Sequence, residues 1–224
     1  MLICINKPKG LTSHDVVNKV RRFTNESRVG HGGTLDPFAT GVLVIGIGRI
    51  FTKKLHHVLK NSEKEYTAVL ELGKTSDTGD PTGVIQIGAD SSHVSIAEIQ
   101  NVLCSFTGDI AQIPPAYSAV KVRGIPSYKL ARKGIAQTLS PRAVRIEHLE
   151  ILAWLPPLLT ICVVCSSGTY IRVLAQDIGQ ALGTGAYLTQ LTRTRVGQFS
   201  IRDCLPLTEE AIQRKISSPE NVQS

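Results

Sequence analysis

The sequence predicts an α/β (α+β) protein built on a largely antiparallel central sheet flanked by helices and loops. Three observations carry this. Apolar or alternating runs of strand length outnumber amphipathic stretches of helix length. Most of these runs are joined by turn-rich segments, which suits antiparallel neighbours. Two tetrads with capping-box spacing mark where helices start.

In order along the chain, Leu2 to Asn6 reads as a short strand. A KPKG turn leads to Thr12-Ser13-His14-Asp15, the first capping box. Val16, Val20 and Phe23 then share one helix face, leaving Lys19, Arg21 and Arg22 on exposed sides. From Gly30 to Gly48 a glycine-dense stretch begins as polar loop and passes into the β-rich run Val42 to Ile47. A helix covers Ile50 to Leu59. The strand Glu65 to Leu72 alternates, with Tyr66, Ala68, Leu70 and Leu72 on the apolar face. Lys74 to Gly83 reads as a turn-rich loop in which Asp77 and Asp80 form turns. Ser95 with Glu98 is the second capping box, ahead of the stripe Ile96, Ile99, Leu103 and Phe106.

Ile113 to Gly134 mixes prolines, two tyrosines and several Lys and Arg residues, the composition of an extended or mobile insertion. Strands follow near Ala143 to Trp154 and Leu158 to Cys165. The next helix buries Ile171, Leu174, Ile178 and Leu182 and is stopped by Gly183 and Gly185. A strand pair around Tyr187 to Ser200 and a short helix from Thr208 complete a single domain over 1–215, and 216–224 reads as a disordered tail.

Composition narrows the function. With 42% hydrophobic residues in 224, the chain can build a core. Lys and Arg number 25 against 18 Asp and Glu, and this surplus points towards a polyanionic partner. No apolar run reaches the roughly 20 residues of a membrane span, and the opening MLICINKPKG lacks the order of a secretory signal, so the expected location is the cytoplasm. Five cysteines at irregular spacing argue against a disulfide framework and for reduced thiols. Cys162 and Cys165 resemble half a zinc site, but strand alternation sends them to opposite faces, so no metal is expected.

Chemistry concentrates at Gly30-His31-Gly32-Gly33-Thr34-Leu35-Asp36-Pro37. Here a carboxylate sits in a glycine-rich loop where a bulky ligand can approach the backbone. Read from the residues alone, Asp36 is better explained as a turn former ahead of Pro37 than as a reacting group.

The longer run through Phe38-Ala39-Thr40-Gly41-Val42-Leu43 resembles the signature of the TruB-type tRNA pseudouridine synthases. Further blocks follow in the family's order: Lys7-Pro8-Lys9-Gly10-Leu11-Thr12-Ser13, Lys64-Glu65-Tyr66 and Gly168-Thr169-Tyr170-Ile171-Arg172. The resemblance spans roughly Ile5 to Phe199. It implies the pseudouridine-synthase fold and a monomer that acts, without cofactor or metal, on the uridine of position 55 in the tRNA T arm. The uracil would leave C1′ of its ribose, turn, and rejoin through C5. Asp36 would be the catalytic carboxylate, by a sugar adduct, by removal of a C2′ proton or by attack at C6.

A carboxylate closed into a base-sized pocket loses hydration, so a cation must hold it ionised, and the resemblance assigns that task to Arg172. It makes Tyr66 the ring that stacks on the extruded base and has Tyr170 and Leu191 line the uracil pocket. His31 would contact the RNA and help hold the nucleotide extruded. Lys7, Pro8 and the loop glycines would shape the site.

The sequence also departs from the family. Asn6 stands where Asp often precedes Lys-Pro, and Thr192 interrupts the basic run before Arg193-Thr194-Arg195, which puts one local RNA contact in doubt. Only roughly 25 residues follow Phe199, too few for the extra C-terminal RNA-binding module of many relatives. RNA affinity would then rest on the 113–134 insertion and the basic helix near Arg21. Rival readings are a guide-RNA-dependent synthase for ribosomal RNA, a non-catalytic RNA-binding or RNA-folding protein, and a nucleoside or glycoside hydrolase. The last lacks a clear second carboxylate.

Overall fold

The computed structural model describes residues 1–59, 62–118, 120–122, 124–131, 133–135 and 137–217, with the backbone alone at position 56. In chain order the elements begin with β1 (Leu2–Lys7), α1 (Ser13–Thr24), β2 (Val29–Gly32), β3 (Thr40–Ile47), α2 (Arg49–Leu59) and β4 (Lys64–Leu72). There follow β5 (Lys74–Ser76), β6 (Ile85–Ile87), α3 (Ile96–Ser105), β7 (Gly108–Gln112), β8 (Lys121–Val122), β9 (Ile125–Pro126) and α4 (Ser127–Ala131). The remainder is β10 (Arg142–Leu155), β11 (Leu158–Cys165), α5 (Ile171–Ala181), β12 (Ala186–Val196), β13 (Phe199–Ser200), a 3₁₀ turn (Ile201–Asp203) and α6 (Glu209–Ile216). The architecture is the expected α/β one, with a large, mostly antiparallel sheet flanked by helices. The chain divides into two compact units, one of Met1–Thr67 with the chain from Leu191 onward, the other Ala68–Gln190. β4 and β12 contribute residues to both.

In the first unit β3 is central. β1 pairs with it antiparallel from Leu2↔Gly46 to Lys7↔Gly41, β2 pairs antiparallel from Val29↔Ile47 to Gly32↔Val44, and β12 meets it in parallel at Thr192↔Thr40 and Arg193↔Gly41. Alternation along β1 and β3 splits the apolar side chains between two faces. Ile3, Ile5, Leu43 and Ile45 pack with Val16, Val17 and Val20 of α1 and Ile212 of α6. Val42 and Val44 pack on the other face with Leu55 and Val196. Thr12 caps α1, and the reciprocal bond from its own N–H to Asp15 completes the capping box.

Backbone bonds from Asn6 N to Leu205 O (2.9 Å) and from Leu205 N to Cys4 O (2.8 Å) lay the C-terminal segment along β1. That brings Cys204 onto Cys4, and the two are joined in a disulfide. The expectation of reduced thiols is corrected here, because a contact across 200 residues leaves no trace in cysteine spacing.

In the second unit β10 and β11 form a long hairpin, with β7 on the far side of β10. Leu159, Ile161, Val163 and Cys165 of β11 are fully buried and Cys162 lies on the opposite, half-buried face. The second capping box is present at Ser95 and Glu98. Ile99 and Leu103 are buried, whereas Ile96 is exposed, since it sits at the start of α3 before the helix meets the core.

Three further expectations need revision. His31 lies in strand β2 rather than a loop, paired opposite Ile45. The Lys74–Gly83 loop begins with β5, which pairs with β6 from Lys74↔Ile87 to Ser76↔Ile85. The described residues of the 113–134 segment carry regular structure: β8, β9 and α4 lie among them, fully buried Ser127 donates to Ala116 O (2.7 Å), and Tyr128 N donates to Ser118 O (3.0 Å). Arg123 and residues 218–224 of the expected tail lie outside the described residues. Among the described residues no helix is long and apolar enough to cross a membrane.

Candidate active site

Asp36 sits half-buried in the turn between β2 and β3, where Ala39 N donates to Asp36 O (3.1 Å). Its neighbours are pinned from the first unit's own core. Ser13, at the start of α1, accepts from Leu35 N (2.9 Å) through its hydroxyl oxygen and donates to Leu35 O (3.0 Å). Gly10 N donates to Pro37 O (2.8 Å).

Two fully buried cations lie beneath this turn. Lys7 Nζ donates to Leu11 O (2.7 Å), Pro8 O (2.9 Å) and Pro37 O (3.4 Å). Burial pushes its ammonium down from 10.5 to about 8; the Asp36 carboxylate opposes that shift and the Arg193 charge adds to it. Arg193 donates to Val42 O (2.8 Å), Gly33 O (2.9 Å) and Thr34 O (3.3 Å), so one guanidinium staples both sides of the Asp36 turn. Gly41 makes this possible. Its φ of +102° suits glycine, and a Cβ there would overlap the carbonyl oxygen of Arg193.

The sequence reading noted Arg193 only as following an interrupted basic run and gave Lys7 only a shaping role. The parallel pairing of β12 with β3 carries Arg193 inward instead, and Thr192 bonds Thr40 between hydroxyls (2.9 Å). A signal for both cations was present: Lys7 follows Ile3 and Ile5 on the inward register of β1, and Arg193 follows Leu191 on that of β12. A cation at a core-facing position survives only if its donors are satisfied and its charge is used or offset.

Of the expected site residues, Asp36, His31, Tyr66 and Leu191 fall in the first unit. His31 is half-buried, its imidazole pushed below its ordinary range by burial first and then by the charges of Arg193 and His14. Its Nδ1 is buried and makes no hydrogen bond among the described residues. Tyr66 is buried on the face of β4 that also holds Ala68, and Leu191 is buried in β12.

Tyr170 and Arg172 fall in the second unit, at the start of α5. Tyr170 exchanges backbone bonds with the buried amide of Gln112, at 3.0 Å to its N–H and 3.4 Å to its carbonyl. Arg172 is buried rather than on an exposed helix face. It donates to Thr78 O and Tyr117 O (both 2.9 Å) and lies 3.7 Å from the Asp80 carboxylate. Asp80 does form a turn, accepting from Thr82 N (2.9 Å) and Thr78 Oγ1 (2.9 Å), but it is also a buried partner of this arginine.

Comparison with known proteins gives a consistent picture. Residues 21–171 match the TruB family pseudouridylate synthase N-terminal domain, and 172–219 match the tRNA pseudouridylate synthase B C-terminal domain. The tRNA pseudouridine synthase B of Syntrophotalea carbinolica is 43% identical over 98% of this chain and 70% of its own length. That of Geotalea uraniireducens is 46% identical over 93% of this chain and 67% of its own. Among solved structures, a Cbf5-Nop10-Gar1 complex contains a chain that superposes with TM-score 0.74 at 30% identity, over 96% of this chain. This chain spans about half, 54%, of that longer one.

Proposed function

The chain belongs to the TruB family of pseudouridylate synthases, and from that premise we propose that it isomerises the uridine of position 55 in the T arm of tRNA to pseudouridine, with Asp36 as the reacting carboxylate. The observation that carries this reading is the seating of Asp36: a half-buried carboxylate in a turn held from beneath by the buried cations Lys7 and Arg193. A nucleotide covering this turn strips water from Asp36 and raises the cost of its charge, and fixed positive charge below offsets that cost.

The reaction breaks the bond from C1′ to N1 and forms one from C1′ to C5; C5 loses a proton and the released N1 gains one, so the product is an isomer with no net oxidation. It therefore requires no redox cofactor. Asp36 acts on the sugar or on C6 of the base. Tyr66 stacks on the extruded uracil, a contact typically worth about 1–3 kcal/mol per base. By their motif matches alone, Leu191 and Tyr170 are assigned to the base and Arg172 to the charge of Asp36. The unpaired Nδ1 of His31 supports a role in holding the displaced nucleotide. The protein works as a cytoplasmic monomer, a state that light scattering at working concentration checks.

The test is mass-spectrometric mapping of pseudouridine in unmodified tRNA incubated with the pure protein and no guide RNA. Wild type should modify position 55, and Asp36→Asn should lose more than about 10³-fold in turnover while binding tRNA nearly as well. Retained turnover in the variant would remove Asp36 from the mechanism. A guide-dependent reaction is the second reading. The higher identity to tRNA-named relatives speaks against it. Release of free uracil would point to a hydrolase, and binding without either product to an RNA-binding protein.

A further inference from the structure

Helix α2 carries its charges in a way that weakens the helix. Its sequence, RIFTKKLHHVL, contains no acidic residue, and Arg49 lies in the first turn, where the helix dipole disfavours a cation. Arg49 and Lys53 stack like charges at i and i+4 along one face, His57 continues that face one turn on, and Lys54 lies beside them. All four side chains are exposed, and none forms an ion pair with a carboxylate among the described residues.

Other helices of the same unit obey the opposite rule. α1 has Asp15 in its first turn and Arg21 and Arg22 in its last. α6 opens with Glu209 and Glu210, ends with Arg214 and Lys215, and pairs Glu210 with Arg214 at 2.7 Å. A helix that breaks both local stability rules while its neighbours keep them is the pattern of a surface shaped for a ligand.

The opposite side of α2 is seated firmly. A Cβ on Gly30 would touch Thr52 and Leu55, one on Gly32 would overlap Leu59, and one on Gly46 would press on the backbone of Phe51. Glycines in β2 and β3 thus let α2 lie directly on the strands that flank the Asp36 turn. More positive charge gathers at its start, where Gly48 N donates to the carbonyl of exposed Arg28 (2.7 Å). The ammonium of Met1 is pushed down by burial and then by the nearby charge of Lys54.

We propose that the exposed face of α2, with Arg49, Lys53, Lys54 and His57, is a docking surface for the phosphate backbone of the substrate RNA, separate from the 113–134 segment. This deepens the function proposed above and rests on it for the identity of the RNA. Each i to i+4 step advances about 6 Å, comparable to the spacing of neighbouring phosphates on a strand, so the face spans about 12 Å from Arg49 to His57. Cations with no carboxylate partner among the described residues, although Lys54 also lies 5.6 Å from the centre of the Phe51 ring, gain a polyanion by releasing its counterions. The rigid seating of α2 then fixes where the RNA backbone runs relative to the Asp36 turn.

The experiment compares wild type with Arg49→Gln/Lys53→Gln/Lys54→Gln, measuring Kd for unmodified tRNA over a salt series and, separately, turnover at saturating tRNA. The triple variant should bind on the order of tenfold more weakly, with a salt slope shallower by about two, because each lost phosphate contact removes about 0.7–0.9 from it. Turnover at saturation should be unchanged, and the charge-preserving Arg49→Lys/Lys53→Arg/Lys54→Arg should bind as wild type does. Its glutamine counterpart should melt no lower than wild type, since only repulsion has been removed. An unchanged Kd and slope, or a lower melting point, would overturn the proposal. If wild type made no pseudouridine, the function would fall, and the salt comparison would still decide the role of α2.

Discussion

The first unit holds 16 Lys and Arg against 9 Asp and Glu, while the second holds 9 of each, so the whole surplus of seven positive charges lies in the first. Their cores repeat the contrast. In the second unit the buried guanidinium of Arg172 has the Asp80 carboxylate 3.7 Å away and two carbonyl oxygens besides. In the first, the hydrogen bonds of buried Lys7 and Arg193 all go, among the described residues, to backbone carbonyls. Carbonyl dipoles satisfy the donors but do not neutralise the charge. One unit therefore balances its buried cation internally, and the other keeps positive potential beneath the Asp36 turn, where an anion has to be stabilised.

The strongest way to break this comparison is Arg193→Met. It orphans the carbonyl of buried Val42, at about 1–3 kcal/mol, and removes two bonds to the exposed Gly33 and Thr34, at about 0.5–1.5 kcal/mol each, so a loss on the order of 3 kcal/mol is expected. Calorimetry should show a drop of roughly 6–12 °C in melting temperature. A shift under a degree or two would mean the staple is not structural.

Gly41→Ala should follow, at about 2 kcal/mol, because both the positive φ and the space against Arg193 refuse a side chain. Denaturant unfolding of this variant checks it, and wild-type stability would show that β3 and β12 can part at no cost.

A smaller effect sharpens the contrast from the other unit. Arg172→Met should be partly rescued by adding Asp80→Asn, with a coupling of about 1 kcal/mol, since removing both ends of a buried pair costs less than removing one. Strict additivity in the double-mutant cycle would show that the two charges do not act as a pair.

The smallest signal is in pH dependence. Lys7 gives up its proton at about 8 in the folded chain against 10.5 ordinarily, so between those values the unfolded state binds more protons. Its contribution must therefore make the fold more stable as pH climbs through that window. The gap in melting temperature between wild type and Lys7→Met should widen in favour of wild type from about pH 8 upward. A gap that stays constant with pH would refute the shift.

Local rules were readable because their causes lie within a few residues. Thr12 with Asp15, and Ser95 with Glu98, declare helix starts by their spacing, and Tyr66 to Leu72 declare a buried face by alternation. Where a partner is distant the reading fails. His31 looked like loop because its glycine neighbours resemble one, yet Ile45 pairs with it in a strand. The hairpin of β5 with β6 was hidden by turn residues, and the Cys4 to Cys204 bridge by 200 residues of intervening chain.

The site divides in the same way. Asp36, Tyr66 and Arg172 could be named from motif blocks, whereas Lys7 and Arg193 show in the sequence only as cations on an inward strand register, with no sign of which carbonyls they hold.

Sequence alone determined the α/β class, the helix starts, the alternating strands and the family, because each is written in short-range pattern or in residues matched one by one. Tertiary structure decided which charges face inward, which carbonyls they hold and which helix is left with unbalanced charge. The reason is that burial and charge compensation belong to pairs of residues that folding alone brings together, as it does Arg193 with Gly33 across 160 positions.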